Sequence, residues 1–144
     1  MGRRDGKRDP GRGADVLSAA SVISVLDDDP YVREAINNLL RSRGYMVHTF
    51  ASAEEFLSSS DSKRTSCIVA DMHMPSKTGI DLLTQMRAQG SATPFILITG
   101  FPDETLHIRA LEAGAICCLR KPFVPADLMK CLQWALAAGD DVTE

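Results

Sequence analysis

The sequence predicts an α/β fold, a five-stranded parallel sheet with helices on both faces. Two observations carry this. Strand-like and helix-like segments alternate five times along the 144 residues. The strands are short, continuously apolar and rich in β-branched residues, which is the pattern of strands buried on both sides rather than half-exposed ones. At 44% apolar residues, the chain can build one globular core, and its length suits one domain.

Residues 1–20 hold four of the ten glycines with alternating charges, and are expected to be a flexible N-terminal tail. Val22–Leu26 then reads as the first strand. Val32, Ile36, Leu39 and Leu40 recur at helical spacing, with Gly44 in the position just past the helix end. Tyr45 to Phe50 reads as the second strand, and Ser52 with Glu55 forms a capping box for the second helix. Cys67–Ala70 is the third strand. The third helix is expected from Gly79 to Ala88, with Ile80, Leu83 and Arg87 spaced by turns. Gly90 to Pro94 forms a turn before the fourth strand, Phe95–Ile98. The fourth helix runs from Asp103 to Ala113 and stops at Gly114. Ile116 to Leu119 is the fifth strand. Pro125 opens the last helix, whose inner face carries Leu128, Leu132, Ala135 and Leu136, while Trp134 points away. The expected organisation is thus a tail over 1–20, one domain over 21–138 and a C-terminal tail over 139–144.

Composition narrows the classes. No apolar run approaches the roughly 20 residues of a membrane span. The N-terminus is basic but lacks the apolar core of a signal peptide, so a cytoplasmic location is expected. The net charge is −3, and the first 20 residues carry five Lys/Arg against three Asp, leaving −5 on the remainder. That balance argues against direct nucleic-acid binding. Cys67, Cys117, Cys118 and Cys131 form no CxxC pair, and His48, His73 and His107 are scattered; the cysteines read as buried thiols in a reducing compartment.

The chemistry lies at the strand ends. Asp27, Asp28 and Asp29 follow the first strand, Asp71 the third, Thr99 the fourth, and Lys121 comes two residues after Leu119. In a parallel sheet these ends point one way, so at least three carboxylates, a hydroxyl and an ammonium converge on one cleft. Crowded carboxylates need neutralising. Lys121 offsets one charge, and an all-oxygen site of this kind suits Mg²⁺. Lys121 and Thr99 could hold phosphoryl oxygens, with a carboxylate as nucleophile.

Four separated motifs resemble the receiver domains of two-component response regulators, over residues 21–138. They are Val25–Asp29 with Val32-Arg33, then Asp71-Met72-His73-Met74-Pro75-Ser76-Lys77-Thr78-Gly79, then Ile98-Thr99-Gly100, and Lys121-Pro122-Phe123. The last two are closest in wording to receivers of LuxR/FixJ-type transcription regulators. The resemblance implies a single flavodoxin-like (βα)5 three-layer sandwich with strand order 2-1-3-4-5. It implies that Asp71 accepts a phosphoryl group from a sensor histidine kinase or phosphotransfer protein, with Thr99 and Lys121 contacting that group. Mg²⁺ would be held by Asp28, Asp71 and the backbone carbonyl of His73, and by Asp27 through a water. Lys121-Pro122 would be a cis peptide. The implied protein is a switch, not a turnover enzyme: it catalyses only its own phosphorylation and dephosphorylation, and signals to an unknown output partner, or to a second copy, through helix four, strand five and helix five.

Two positions depart from the pattern. Cys118 stands where the family carries an aromatic switch residue. His73 and Phe101 occupy the positions that flank the phosphoryl group, where Phe101 could shield it from water.

Two other readings remain open from sequence. Asp27-x-Asp29 matches in outline the nucleophile motif of haloacid-dehalogenase-like phosphatases, with Asp27 as nucleophile, Thr99 and Lys121 as further motifs, and Asp140-Asp141 as an acidic fourth. A pseudo-receiver, a binding module without phosphorylation, is the second. Helix five leaves no room for a following DNA-binding domain, so a stand-alone receiver or one part of something longer is expected.

Overall fold

The computed structural model describes residues 21–101 and 103–143. The tail expected over residues 1–20 lies outside them. The five strands are β1 (Val22–Leu26), β2 (Met46–Phe50), β3 (Cys67–Asp71), β4 (Phe95–Thr99) and β5 (Cys117–Arg120). They pair parallel in the order β2-β1-β3-β4-β5. The intervening helices are α1 (Pro30–Ser42), α2 (Ala53–Ser58), α3 (Gly79–Ala88), α4 (Glu104–Glu112) and α5 (Pro125–Thr143), with a 3-10 turn at Ser60–Lys63.

Successive strand residues point to opposite faces, and both faces are covered. Ile68 and Ala70 of β3 join Phe56, Leu82, Leu83, Phe95 and Leu97 under α2, α3 and α4. Cys67 and Val69 join Ile36, Leu40, Ile96, Leu128 and Leu132 under α1 and α5. All five residues of β3 and of β4 are buried, which is why these segments read as uninterrupted apolar runs.

Helix ends follow local chemistry. Asp29 caps α1, its carboxylate accepting from the Tyr31 amide at 2.9 Å, with Pro30 at the first helical position. Gly44 ends α1 at φ 94°, a left-handed turn that glycine adopts without penalty. Ser52 caps α2 by accepting from Glu55 N at 3.0 Å, but the Glu55 carboxylate reaches back to Ala51 N rather than to Ser52 N. The full reciprocal box forms instead at α3, between Thr78 and Asp81. Asp103 caps α4 rather than belonging to it.

Two expectations are corrected. The buried face of α3 is Gly79, Leu82, Leu83 and Met86, not an Ile80–Leu83–Arg87 stripe. Arg87 leaves the core to donate to the carbonyls of Ser91 and Thr93, with its guanidinium 5.7 Å from the Phe95 ring centre. The second correction concerns residues 139–144: α5 continues to Thr143, past residue 138 where a tail was expected. Ala137 and Ala138 favour helix, and Gly139 costs only about 1 kcal/mol against alanine, too little to end it.

Candidate functional site

The chain leaves β1 toward β2 on one side and leaves β3 toward β4 on the other, so the loops above β1 and β3 diverge and open a crevice at their carboxyl ends. Asp27 follows β1 and Asp71 is the last residue of β3, which puts a carboxylate on each side of that crevice. Asp27 is 1% exposed and Asp71 6%, while Asp28 is open to solvent. One carboxylate oxygen from each of Asp27, Asp28 and Asp71 lies within 4.8 Å of the others, the only such grouping of metal-ligating side chains among the described residues. Lys121 comes directly after β5, in a cis peptide with Pro122. Its Nζ donates to Asp27 Oδ2 at 3.1 Å and to Asp71 Oδ2 at 3.3 Å.

The other oxygen of each buried carboxylate accepts from backbone. Asp27 Oδ1 accepts from Asp29 N at 2.9 Å, and Asp71 Oδ1 from His73 N at 2.9 Å. Arg33, on the first turn of α1, donates to the Asp27 carbonyl at 2.7 Å and pins the acidic loop. Gly79 approaches closely from below: a Cβ there would lie 2.8 Å from the Asp71 carbonyl oxygen.

One ammonium faces more negative charge than it can balance. Burial, together with the Asp71 charge, pushes the Asp27 carboxyl above its ordinary value of 3.8, against the pull of the Asp29 amide and of Lys121. Burial by itself would lower Lys121; the hydrogen bond to Asp27 and the charges of Asp71 and Asp27 outweigh it and hold the ammonium above 10.5. Because folded Asp27 binds its proton more tightly than the unfolded chain does, stability falls as pH rises through the window above 3.8, and the cost of the charged carboxylate is fully present at neutral pH. Asp27→Asn is therefore expected to stabilise the metal-free protein at pH 7 by about 1 kcal/mol. The gain should shrink as pH is lowered toward 4, which denaturant melts across pH would show. A variant less stable than wild type at pH 7 would contradict this.

Thr99 ends β4, and its carbonyl accepts from Lys121 N at 2.7 Å. Its hydroxyl, however, is engaged away from the carboxylates. It lies 2.8 Å from His73 Nε2, accepts from Phe101 N at 3.1 Å and lies 3.3 Å from Phe101 O. The His73 and Phe101 rings meet edge to face, 4.6 Å apart at 83°. The sequence reading used only the backbone carbonyl of His73 and missed its side-chain contact with Thr99, because the two residues stand 26 positions apart and only strand pairing brings them together. Phe101 was expected as a shield; it is 58% exposed and meets the His73 ring edge to face.

The sequence profile of the response regulator receiver domain matches residues 23–133, most of the chain. This chain belongs to that family. The response regulator protein TodT of Pseudomonas putida is 38% identical over 117 residues, covering 81% of this chain and 52% of TodT. The transcriptional regulatory protein FixJ of Bradyrhizobium diazoefficiens is 38% identical over 118 residues, covering 82% and 58%. The chain thus spans about half the length of these relatives. Among solved structures, FixJ-N matches with a TM-score of 0.75 at 29% identity, over 81% of this chain and 94% of its own. Vibrio cholerae chemotaxis protein CheY4 matches with a TM-score of 0.73 at 30% identity, over 81% and 98%. The fold is the flavodoxin-like receiver fold, and the function is that of a response regulator receiver in two-component signalling. The haloacid-dehalogenase-like reading is overturned by this membership; its fourth motif, Asp140-Asp141, lies on the helix α5.

In this receiver, Cys118 is half-buried on β5 with its Sγ 3.8 Å from Met72 Sδ. Burial pushes the Cys67, Cys118 and Cys131 thiols up, away from the reactive thiolate, as expected of packing residues. On the α4-β5-α5 side, Ile108, Leu111 and Trp134 are exposed. Among the described residues no helix is long and apolar enough to cross a membrane.

Proposed function

We propose that this receiver takes a phosphoryl group onto Asp71 from a phosphohistidine of a sensor kinase or phosphotransfer protein, in a Mg²⁺-dependent reaction in the cytoplasm, and acts as a switch that catalyses only its own phosphorylation and dephosphorylation. The observation that carries this is Lys121 bridging Asp27 and Asp71 while three carboxylate oxygens gather within 4.8 Å. A donor set of oxygens alone, with net negative charge left after Lys121, fits a hard divalent cation that keeps several waters. Asp28, Asp71 and the His73 carbonyl would hold it directly, and Asp27 through a water. Once bound, the ion would neutralise the crowded carboxylates and the incoming phosphoryl oxygens.

The chain's own groups do the rest. A lone pair on an Asp71 carboxylate oxygen forms the new O–P bond as the donor's N–P bond breaks, its electron pair passing to the imidazole nitrogen. Asp71 is ready for this because the His73 amide and Lys121 fix its orientation. Lys121 can follow the charge from the carboxylate to the transferred oxygens, and Thr99 can donate to one of them. The output surface is α4, β5 and α5, where exposed Ile108, Leu111 and Trp134 offer apolar contacts to an output partner or a second copy.

Incubation with Mg²⁺ and acetyl phosphate, followed by intact mass, should give one added phosphoryl group that maps to Asp71 and none when EDTA is present. Sizing the same sample by light scattering reads the homodimer. A protein that stays unmodified under these conditions would be a pseudo-receiver and would refute the proposal.

A further inference from the structure

The single proton of the hydroxyl that must meet the phosphoryl group is already engaged. A threonine hydroxyl has one proton to donate and two lone pairs to accept with. For Thr99, the Phe101 amide takes one lone pair. His73 Nε2, at 2.8 Å, takes either the proton or the second lone pair, depending on its tautomer, and Phe101 O at 3.3 Å is the alternative acceptor. In either arrangement, donating to a new oxygen requires Thr99 to give up a partner it now has.

His73 is tied to both halves of the site. Its backbone amide holds Asp71 Oδ1, and its side chain holds Thr99. The ring is steadied by edge-to-face contact with Phe101, whose own backbone amide and carbonyl both meet the Thr99 hydroxyl. Thr99, His73 and the loop at Phe101 therefore form one closed unit beside the phosphoacceptor. Phe101 is mostly exposed, so releasing it uncovers little additional apolar surface.

We propose that the His73 side chain is a latch on Thr99: with Nε2 as the acceptor it holds the proton of the switch hydroxyl in the unphosphorylated chain, and that hydrogen bond must break when the phosphoryl group recruits the same proton. The inference rests on the reading of Asp71 as phosphoacceptor. It makes His73 a positioning residue that sets the threshold for switching through an internal competition, in addition to any part its carbonyl plays at the metal. With Cys118 in place of a large ring on β5, the His73–Phe101 pair is the aromatic element that moves with Thr99.

The test has two arms. In the resting protein, without phosphodonor, the ¹⁵N signals of the His73 imidazole are compared between wild type and Thr99→Val. The latch requires the Nε2 signal to shift when the hydroxyl is removed; an unchanged signal overturns it. The second arm measures binding of beryllofluoride, a phosphoryl mimic, with Mg²⁺ present. His73→Ala should bind it roughly 3- to 10-fold tighter, the factor that losing one competing hydrogen bond allows. His73→Gln, which can still reach a hydroxyl, should lie nearer wild type. In the Thr99→Val background, His73→Ala should have no effect. Equal or weaker binding by His73→Ala, or a gain that persists without the hydroxyl, overturns the latch. If no variant binds beryllofluoride, the Asp71 reading has failed, and the resting-state signals still decide the contact.

Discussion

Asp71→Asn is expected to abolish phosphoryl uptake while leaving the fold intact. The amide oxygen of asparagine can still accept from the His73 amide, so the loop after β3 keeps its geometry. What is lost is the nucleophile: a neutral amide has no carboxylate lone pair to attack phosphorus. The ion pair from Lys121 goes with it, leaving that ammonium on Asp27 alone. The loss should be at least on the order of 10³-fold, as for removal of other covalent nucleophiles. Intact mass after acetyl phosphate and Mg²⁺ reads it directly. The site now crowds two buried carboxylates against one ammonium, so the variant should melt no lower than wild type without metal. Retained phosphorylation in a folded Asp71→Asn protein would mean that another residue is the acceptor.

Gly79→Ala should be the most damaging small substitution near the site. Its Cβ would sit 2.8 Å from the Asp71 carbonyl oxygen and 2.9 Å from Leu97 Cδ2. Leu97 can move, but the Asp71 carbonyl belongs to the backbone of a fully buried strand and cannot yield cheaply. Either α3 lifts from the sheet or the end of β3 bends. We expect a loss of about 1–3 kcal/mol, the usual range for overpacking a tight core, against which alanine's helix preference offsets at most about 1 kcal/mol. Because the displaced carbonyl belongs to Asp71, the proposed phosphoacceptor, phosphoryl uptake should slow as well. Gly100→Ala serves as the control, since a Cβ there meets nothing within 4 Å. Its stability should stay within about 0.5 kcal/mol of wild type. Equal stability of the two variants by denaturant melts would refute the close-approach argument.

Most of the fold was legible because its signals are local. Strands buried on both faces read as continuous apolar runs, and Cys67 to Ala70 and Phe95 to Ile98 do. Helix boundaries were marked by Gly44, Gly114 and Pro125, each acting within a few residues of its own position. The sequence misjudged features where a side chain has several reachable partners. Arg87 has helical spacing with Ile80 and Leu83, yet two carbonyls four and six residues further on capture it. Glu55 had two backbone amides in reach, and it took the one at Ala51.

The same division runs through the site. The sequence by itself determined that Asp27, Asp71, Thr99 and Lys121 lie at strand ends, and a parallel sheet then obliges those ends to share one edge. Only the tertiary structure decided which atoms meet. Lys121 reaches across 94 residues to Asp27 and 50 to Asp71, and His73 closes on Thr99 instead of standing aside from it. Spacing along a chain fixes which residues share an edge. Hydrogen bonds form over about 3 Å, and at that scale the pairing depends on register, rotamer and competing partners that no local pattern encodes.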